Sequence, residues 1–364
     1  MKSKSIGLLL VFVLTAAHCI SQPKTWSGLA NGEYKVGFKT IRQKSKAGFP
    51  MLISVWYPAS KGGAKMRWED FVKLGGAISE GSDSLQLNYL RKIIALKWVF
   101  NFQISDIDYF SALRKFSNSF RNAPEVAGKF PLIIATARPI HYAASFEFFA
   151  SHGFIVASYD GAFPENKLTD DSPQFFVQNT DMMGELMVMM STFPSIDQSN
   201  ISVFGHGGGI QPAMYLAMRS VEIKRVVNLD GAFFGPRSKS TLSFDYHPDK
   251  LTIPLLHIVT DDLHKQEERS QFNALKNPVT RVIIKPGEFK HHDLTSFGLF
   301  LRRAVDRRGD ARDMVNKIFF KTHKMILSFL KDQNIKSSQN DIFGNIVIQG
   351  ESTPFTTFHV FDFF

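Results

Sequence analysis

The feature that most constrains the fold is an alternation, from residue 130 to residue 284, of short apolar runs with segments of helical spacing. The runs 132–135, 154–159, 201–204, 225–229, 255–259 and 279–284 are rich in Val, Ile, Leu and Phe. Their apolarity is largely continuous, which is the mark of strands buried on both sides. Between them lie helix candidates at 144–151, 175–192, 210–220 and 264–275, and 311–331 reads as a long closing helix. Strands that alternate with helices imply an α/β fold, with a mostly parallel central sheet and helices on both faces. Upstream, 33–41 and 52–57 read as two antiparallel opening strands, because the polar stretch between them contains Gly48 and Pro50. From 68 to 120 the pattern turns helical, with Leu87, Leu90, Ile94 and Trp98 along one apolar face and Ile93 and Val99 widening it. This helical insertion is either a cap over a pocket or an excursion packed into the core.

The ends of the chain read differently. Lys2 and Lys4 precede an apolar run from Ile6 to Ala17, which is too short to span a bilayer and fits a secretory signal over residues 1–21, cleaved before Gln22. Export to the periplasm or the extracellular space is the expectation. Cys19 is the only cysteine, so disulfides and thiol chemistry are not expected in the mature chain. Residues 22–331 read as one domain, with the insertion at about 68–120, and residues 332–364 as a phenylalanine-rich tail that packs back or pairs with a neighbouring chain. No repeat or long linker divides the chain, and nothing in it sets an oligomeric state. The formal net charge is +10. Part of it clusters at Arg302, Arg303, Arg307, Arg308 and Arg312, where Asp306, Asp310 and Asp313 interleave as helical ion pairs on a solvated face. The alternative for that cluster is contact with a membrane surface or an anionic polysaccharide. Export makes nucleic acid an improbable partner.

The chemistry should sit where a strand, a glycine-rich turn and a helix follow one another, at 201–204, Gly205-His206-Gly207-Gly208-Gly209, and Ile210 onward. A nucleophile elbow turns so sharply that its flanking positions need small residues, and Gly205 and Gly209 meet that need. Its centre should carry a serine. Here it is Gly207, which has no side-chain atom able to attack a carbonyl. On the residues alone, a plain strand-to-helix turn accounts for the glycines equally well.

Three stretches carry a resemblance: Val55-Trp56-Tyr57-Pro58, Ser151-His152-Gly153-Phe154-Ile155-Val156, and the elbow itself. Together they resemble the platelet-activating-factor acetylhydrolase and dienelactone-hydrolase branch of the α/β hydrolases, over roughly 33–330. That branch carries Gly-His-Ser-X-Gly-Gly at the elbow, and this sequence keeps Gly205, His206 and Gly209 around the missing serine, with Ile210 for the last glycine. The resemblance implies an α/β-hydrolase fold. It also implies an acid at Asp230, in Leu229-Asp230-Gly231, and a histidine at His291, with His292 as the near alternative. Asp261 or Asp262, after the following strand, is a second candidate for the acid. The Gly208 amide is the expected remnant of an oxyanion hole, whose other donor the resemblance puts in a His-Gly turn that is replaced here by Thr136-Ala137-Arg138-Pro139-Ile140-His141. Pro139 has no amide hydrogen.

The resulting expectation is an exported relative of carboxylester and acetyl hydrolases that binds a small-molecule ester, lipid or glycan, with hydrolysis impaired at Gly207. The alternative is an active esterase that uses activated water or another nucleophile. No cofactor is implied. A metal site from His257, His264, His291 and His292 is not expected, since their spacings fit no helix-borne zinc motif. His206-Gly207-Gly208-Gly209 as the oxyanion loop of a hormone-sensitive-lipase-like enzyme fails on order, because no Gly-X-Ser-X-Gly follows it.

Overall fold

The structure, a computed structural model, describes residues 28–74, 106–136, 138–161, 173–235, 247–284, 289–296, 299, 310–333 and 346–350. The segment expected to be a signal, the apolar residues of the insertion from Leu87 to Trp98, the basic cluster 302–308 and most of the tail lie outside them.

Among the described residues, eleven strands form a single sheet. In chain order they are β1 (Lys35–Lys44), β2 (Pro50–Ala59), β3 (Ala64–Arg67), β4 (Phe116–Arg121), β5 (Phe130–Thr136), β6 (Ile155–Gly161), β7 (Ile196–His206), β8 (Ile223–Leu229), β9 (Leu255–Thr260), β10 (Val279–Ile284) and β11 (Ile346–Gly350). Their spatial order is β11-β10-β9-β8-β7-β5-β6-β2-β1-β4-β3. The run from β6 to β10 is parallel, β2 joins it antiparallel on β6, and β1 pairs antiparallel with β2. The two opening strands and the six interior ones thus stand where the apolar runs put them.

Because alternate side chains of a strand face opposite ways, the continuous apolar runs feed two cores. Ile133, Val156, Phe204 and Val227 face one core with α3 (Pro139–Ser151) and α8 (Asp310–Leu330), while Leu132, Ile134, Val203 and Val226 face the other with α4 (Pro173–Ser191) and α5 (Ile210–Arg219). Helix α3 is apolar on nearly every side, and every residue but Ile140 is buried, as expected for a helix with protein on all faces. The Val55-Trp56-Tyr57-Pro58 motif has its explanation here. Trp56 packs with Phe38, Phe71 and Phe146 at ring distances of 4.9, 5.9 and 5.0 Å, and Tyr57 on the opposite face donates from its hydroxyl to the Ala123 carbonyl. Gly153, at φ 92°, takes the left-handed turn that carries the chain from α3 into β6.

Two expectations need correction. The insertion is not wholly helical: α1 (Trp68–Leu74) and α2 (Asp106–Leu113) flank residues that are not described, and the segment ends in strand β4, paired to β1 and to the unforeseen β3. Periodicity missed β4 because its buried residues are polar. Ser119 and Asn118 donate to the Glu147 carboxylate on α3, a partner far away in sequence. The helix expected over 264–275 is broken into α6 (Asp261–His264) and α7 (Arg269–Asn273). The break falls where Glu267 turns inward to His257 on β9 and Arg281 on β10. The described part of the tail, β11, packs back antiparallel on β10. No helix among the described residues is long and apolar enough to cross a membrane.

Candidate active site

The site lies at the carboxyl ends of β7, β8 and β10, where open α/β sheets place ligands. Strand β7 ends at His206, and Gly207–Gly209 form a single 3₁₀ turn before α5. The turn excludes a side chain at two points and strains one at a third. A Cβ on Gly205 would lie 2.5 Å from the Ile210 Cα, and one on Gly209 would lie 2.5 Å from the Thr136 carbonyl oxygen. Gly207 is instead in the left-handed region at φ 56°. Thr136 fastens the turn, its hydroxyl donating to the Gly209 carbonyl at 2.5 Å. Gly209→Ala is therefore expected to cost about 1–3 kcal/mol through overpacking against backbone that cannot move aside; urea unfolding measures it.

A Cβ at position 207 would point at His291, 3.2 Å from both Nε2 and Cε1. The hydroxyl of a serine there would reach hydrogen-bonding distance of Nε2. His291 opens a short 3₁₀ turn after β10, and its Nδ1 lies 2.6 Å from Asp230 Oδ2. Asp230 follows β8 in the left-handed region, at φ 46°. That conformation is costly for a side-chain-bearing residue and is held from both sides. The Asp230 amide donates to the Ile258 carbonyl at 2.6 Å, and the Asn228 side chain clasps both polar backbone groups of Gly231. Its other oxygen, Oδ1, accepts from the Thr260 amide at 2.6 Å and the Thr260 hydroxyl at 2.9 Å. All of this is buried, whereas the His291 side chain is about a third exposed. A carboxylate so held accepts from Nδ1–H, leaving the imidazole lone pair on Nε2, the atom that faces Gly207. Thr260→Val should remove one charge-assisted hydrogen bond, at a cost of about 1.5–3 kcal/mol in urea unfolding with the backbone donor retained.

Behind His291 is a second imidazole. His206 stacks on it with ring centroids 4.0 Å apart and planes 24° from parallel, and its Nδ1 bonds the Tyr142 hydroxyl. Burial pushes the His206 ring well below the ordinary histidine value, helped by the nearby charge of His291. Burial likewise raises the Tyr142 phenol well above its ordinary value, so the phenol keeps its proton in the hydrogen bond with Nδ1. His141, next to Tyr142, is buried beside Arg138 and is lowered to about 3. The wall behind His291 is thus aromatic and uncharged at neutral pH.

His206, Asp230 and His291 present ligand atoms within 4.8 Å of one another, the spacing of a metal cluster. Their directions do not suit one. A ring nitrogen ligates in the plane of its ring, and two stacked rings send their lone pairs side by side rather than toward one ion about 2.0–2.1 Å from each.

The structure brings Gly207, Asp230 and His291 together, with His206 behind them. It does not bring Asp261 or Asp262 to the histidine: Asp261 pairs with Lys265 and Asp262 with Lys290 at 3.6 Å. Their place in the sequence, after β9, is filled at the site by Thr260, one residue earlier. His292 lies edge-on to His291 with ring centroids 5.9 Å apart. On the oxyanion side, a Cβ on Gly208 would meet no atom of the described residues within 4 Å, and α3 begins at Pro139 with the His141 amide already given to the Arg138 carbonyl. Sequence reasoning missed Thr260, Asn228 and Tyr142. Only Tyr142, adjoining the altered turn after β5, had a local signal.

No protein-family model matches the chain, and no curated protein matches it in sequence. Among solved structures it is similar to a ferulic acid esterase from Streptomyces cinnamoneus, with 14% identity, a TM-score of 0.58, and 86% of this chain and 95% of that one covered. A Mycobacterium tuberculosis puromycin-hydrolyzing peptidase is 10% identical with a TM-score of 0.46, over 81% of this chain and 39% of that one. With the strand order above, the first likeness establishes the α/β-hydrolase fold.

Proposed function

We propose that this α/β-hydrolase-fold chain is an exported relative of carboxylester and acetyl hydrolases whose pocket binds an ester, lipid or glycan, and whose hydrolytic turnover is impaired because Gly207 stands where a serine nucleophile would. The observation that carries this reading is the aim of position 207. Its missing Cβ would lie 3.2 Å from Nε2 of a histidine whose Nδ1 is held by the buried Asp230. Base and orienting acid are in working relation, and position 207 supplies no side-chain atom for them to activate. The acid directly after β8 also favours the acetylhydrolase-like branch over hydrolases that place it one strand later. The test is hydrolysis of short p-nitrophenyl esters by the parent and by Gly207→Ser, with His291→Ala in each. Turnover by the parent equal to that of Gly207→Ser, and lost in both with His291→Ala, would overturn the reading. It would favour the second one, hydrolysis by water activated at His291, whose motive is that the Asp230–His291 pair is intact.

A further inference from the structure

At the β3 edge of the sheet, apolar side chains are turned to solvent and set among cations. We propose that this surface, built from α2 and the β3–β4 pair, docks on an anionic lipid membrane, its aromatic and aliphatic side chains entering the headgroup region and its lysines and arginines meeting lipid phosphate.

Three observations lead here. First, exposed apolar bulk is concentrated in this region. Among the described residues six large apolar side chains are exposed, and three of them, Ile107, Phe110 and Phe116, at 82, 51 and 50%, fall within a short stretch of chain. Scattered singly such residues are ordinary, whereas a gathering of them marks a contact surface. Second, both elements turn their apolar residues outward. The exposed Ile107, Phe110, Ser111 and Arg114 recur at helical spacing, while Ala112 is buried behind them. Strand β4 buries Ser117 and Ser119 and places Phe116 and Phe120 on its other face, the inverse of an ordinary half-buried strand. Third, cations interleave with these rings. The register of β3, the last strand of the sheet, sets Lys65 across from Phe120 and Arg67 across from Phe116. The guanidinium lies 4.5 Å from the Phe116 ring centre and the ammonium 6.0 Å from that of Phe120. Arg114 and Lys115, both exposed, join the helical stripe to the strand. Of the acids nearby, Glu69 pairs with Lys73 and Asp70 with Arg121, while Asp106 and Asp108 stand in the first turn of α2, at the end away from Arg114.

The mixture of rings and cations favours lipid over protein. The centre of a protein interface is depleted of charge, and of lysine in particular. A membrane surface suits the mixture, because lysine and arginine lay their stems along apolar groups and lift their charge to the phosphates. Strand β4 is parallel to β1 and so runs in the direction of β6 to β10. Phe116, its first residue, is therefore at the end of the sheet opposite to Gly207 and His291. Docking here leaves the active-site end of the sheet free of the bilayer, and this proposal and the proposed function stand or fall separately.

The test is sedimentation of the full chain with vesicles of phosphatidylcholine alone and of equimolar phosphatidylcholine and phosphatidylglycerol. Expected is binding to the anionic vesicles that salt weakens and that exceeds binding to the neutral ones by about tenfold or more, since each cation near such a surface contributes about fivefold. Arg114→Ser with Lys115→Ser should lower it by about tenfold or more, and so should Ile107→Ser with Phe116→Ser. All four positions are exposed, so the urea midpoints of the variants should match that of the parent. A local readout separates this surface from the ends of the chain. In a Cys19→Ser background, which removes the only cysteine, a bimane attached at Ile107→Cys should shift to the blue on anionic vesicles. A parent that stays in solution, variants that bind as the parent does, or a bimane that remains in water overturns the proposal. A dimer of the parent that Ile107→Ser with Phe116→Ser abolishes, without vesicle binding, overturns it in favour of a second copy of the chain.

Discussion

Gly207→Ser is expected to hydrolyse p-nitrophenyl acetate about 10² to 10⁴ times faster than the parent, since removing the serine of a working triad costs roughly 10⁶ in kcat and only part of that is recoverable here. The limit is the oxyanion hole. Loss of one of its donors costs about 10² to 10³, and α3 after β5 opens on Pro139, which has no amide hydrogen to offer. What recovery there is follows from geometry already present: with a Cβ 3.2 Å from Nε2, a serine rotamer can hydrogen-bond the ring once His291 gives by a few tenths of an ångström. The gain should come with a loss. A side chain in the left-handed region costs about 1–2 kcal/mol, so the active variant should unfold at lower urea concentration than the parent. Activity and stability moving in opposite directions would mark position 207 as a true elbow centre. A serine tolerated without cost and without activity would mark it as an ordinary turn.

The parts of this molecule legible in its sequence are those whose physics is local. Strands β5 to β10 announce themselves because a strand covered on two faces must be apolar at nearly every position, whoever its neighbours are. The elbow is legible because the collisions that demand glycine at 205 and 209 come from residues within the turn and from Thr136 on the adjoining strand. Asp230 and His291 were legible only through resemblance, each being a common residue in a loop. What was hidden depends on partners far along the chain. Ser117 and Ser119 make β4 look like a polar connector until their partners are seen: Ser119 donates to the Glu147 carboxylate on α3, and the Ser117 hydroxyl accepts from the Ser119 amide. Thr260 reads as a strand end until Asp230 is beside it. The interruption between α6 and α7 has no signal in the periodicity, because Glu267 is drawn inward by residues of two other strands.

That inward carboxylate leads to the largest expected change in stability. Glu267 is 2% exposed and lies between His257 Nε2, at 2.5 Å, and the Arg281 guanidinium, which also reaches His264 Nδ1 at 2.6 Å. Aromatic rings close the site: Phe234 and Phe272 lie 5.2 Å from the His257 ring, and the guanidinium sits 4.4 Å over Phe272. Glu267→Gln removes the carboxylate charge that His257 and Arg281 share and is expected to destabilise the protein by about 3–5 kcal/mol, as breaking a buried pair does. Replacing the whole cluster (His257→Leu, Glu267→Leu, Arg281→Met) should cost much less than that single change, because the desolvation of all three groups is then avoided. The pH dependence has a definite sign. Burial pushes the Glu267 carboxyl up, but the bond to His257 and the charges of His257 and Arg281 outweigh it and hold the group below the ordinary glutamate value. Its contribution is therefore complete above the unfolded-state value of about 4.3 and is lost as pH falls through the lower folded value. Urea unfolding of the parent should weaken across that acid window, and Glu267→Gln should lack this part of the slope. A parent and variant of equal stability at neutral pH, or with the same acid profile, would mean that the cluster is hydrated and that the break between α6 and α7 has another cause.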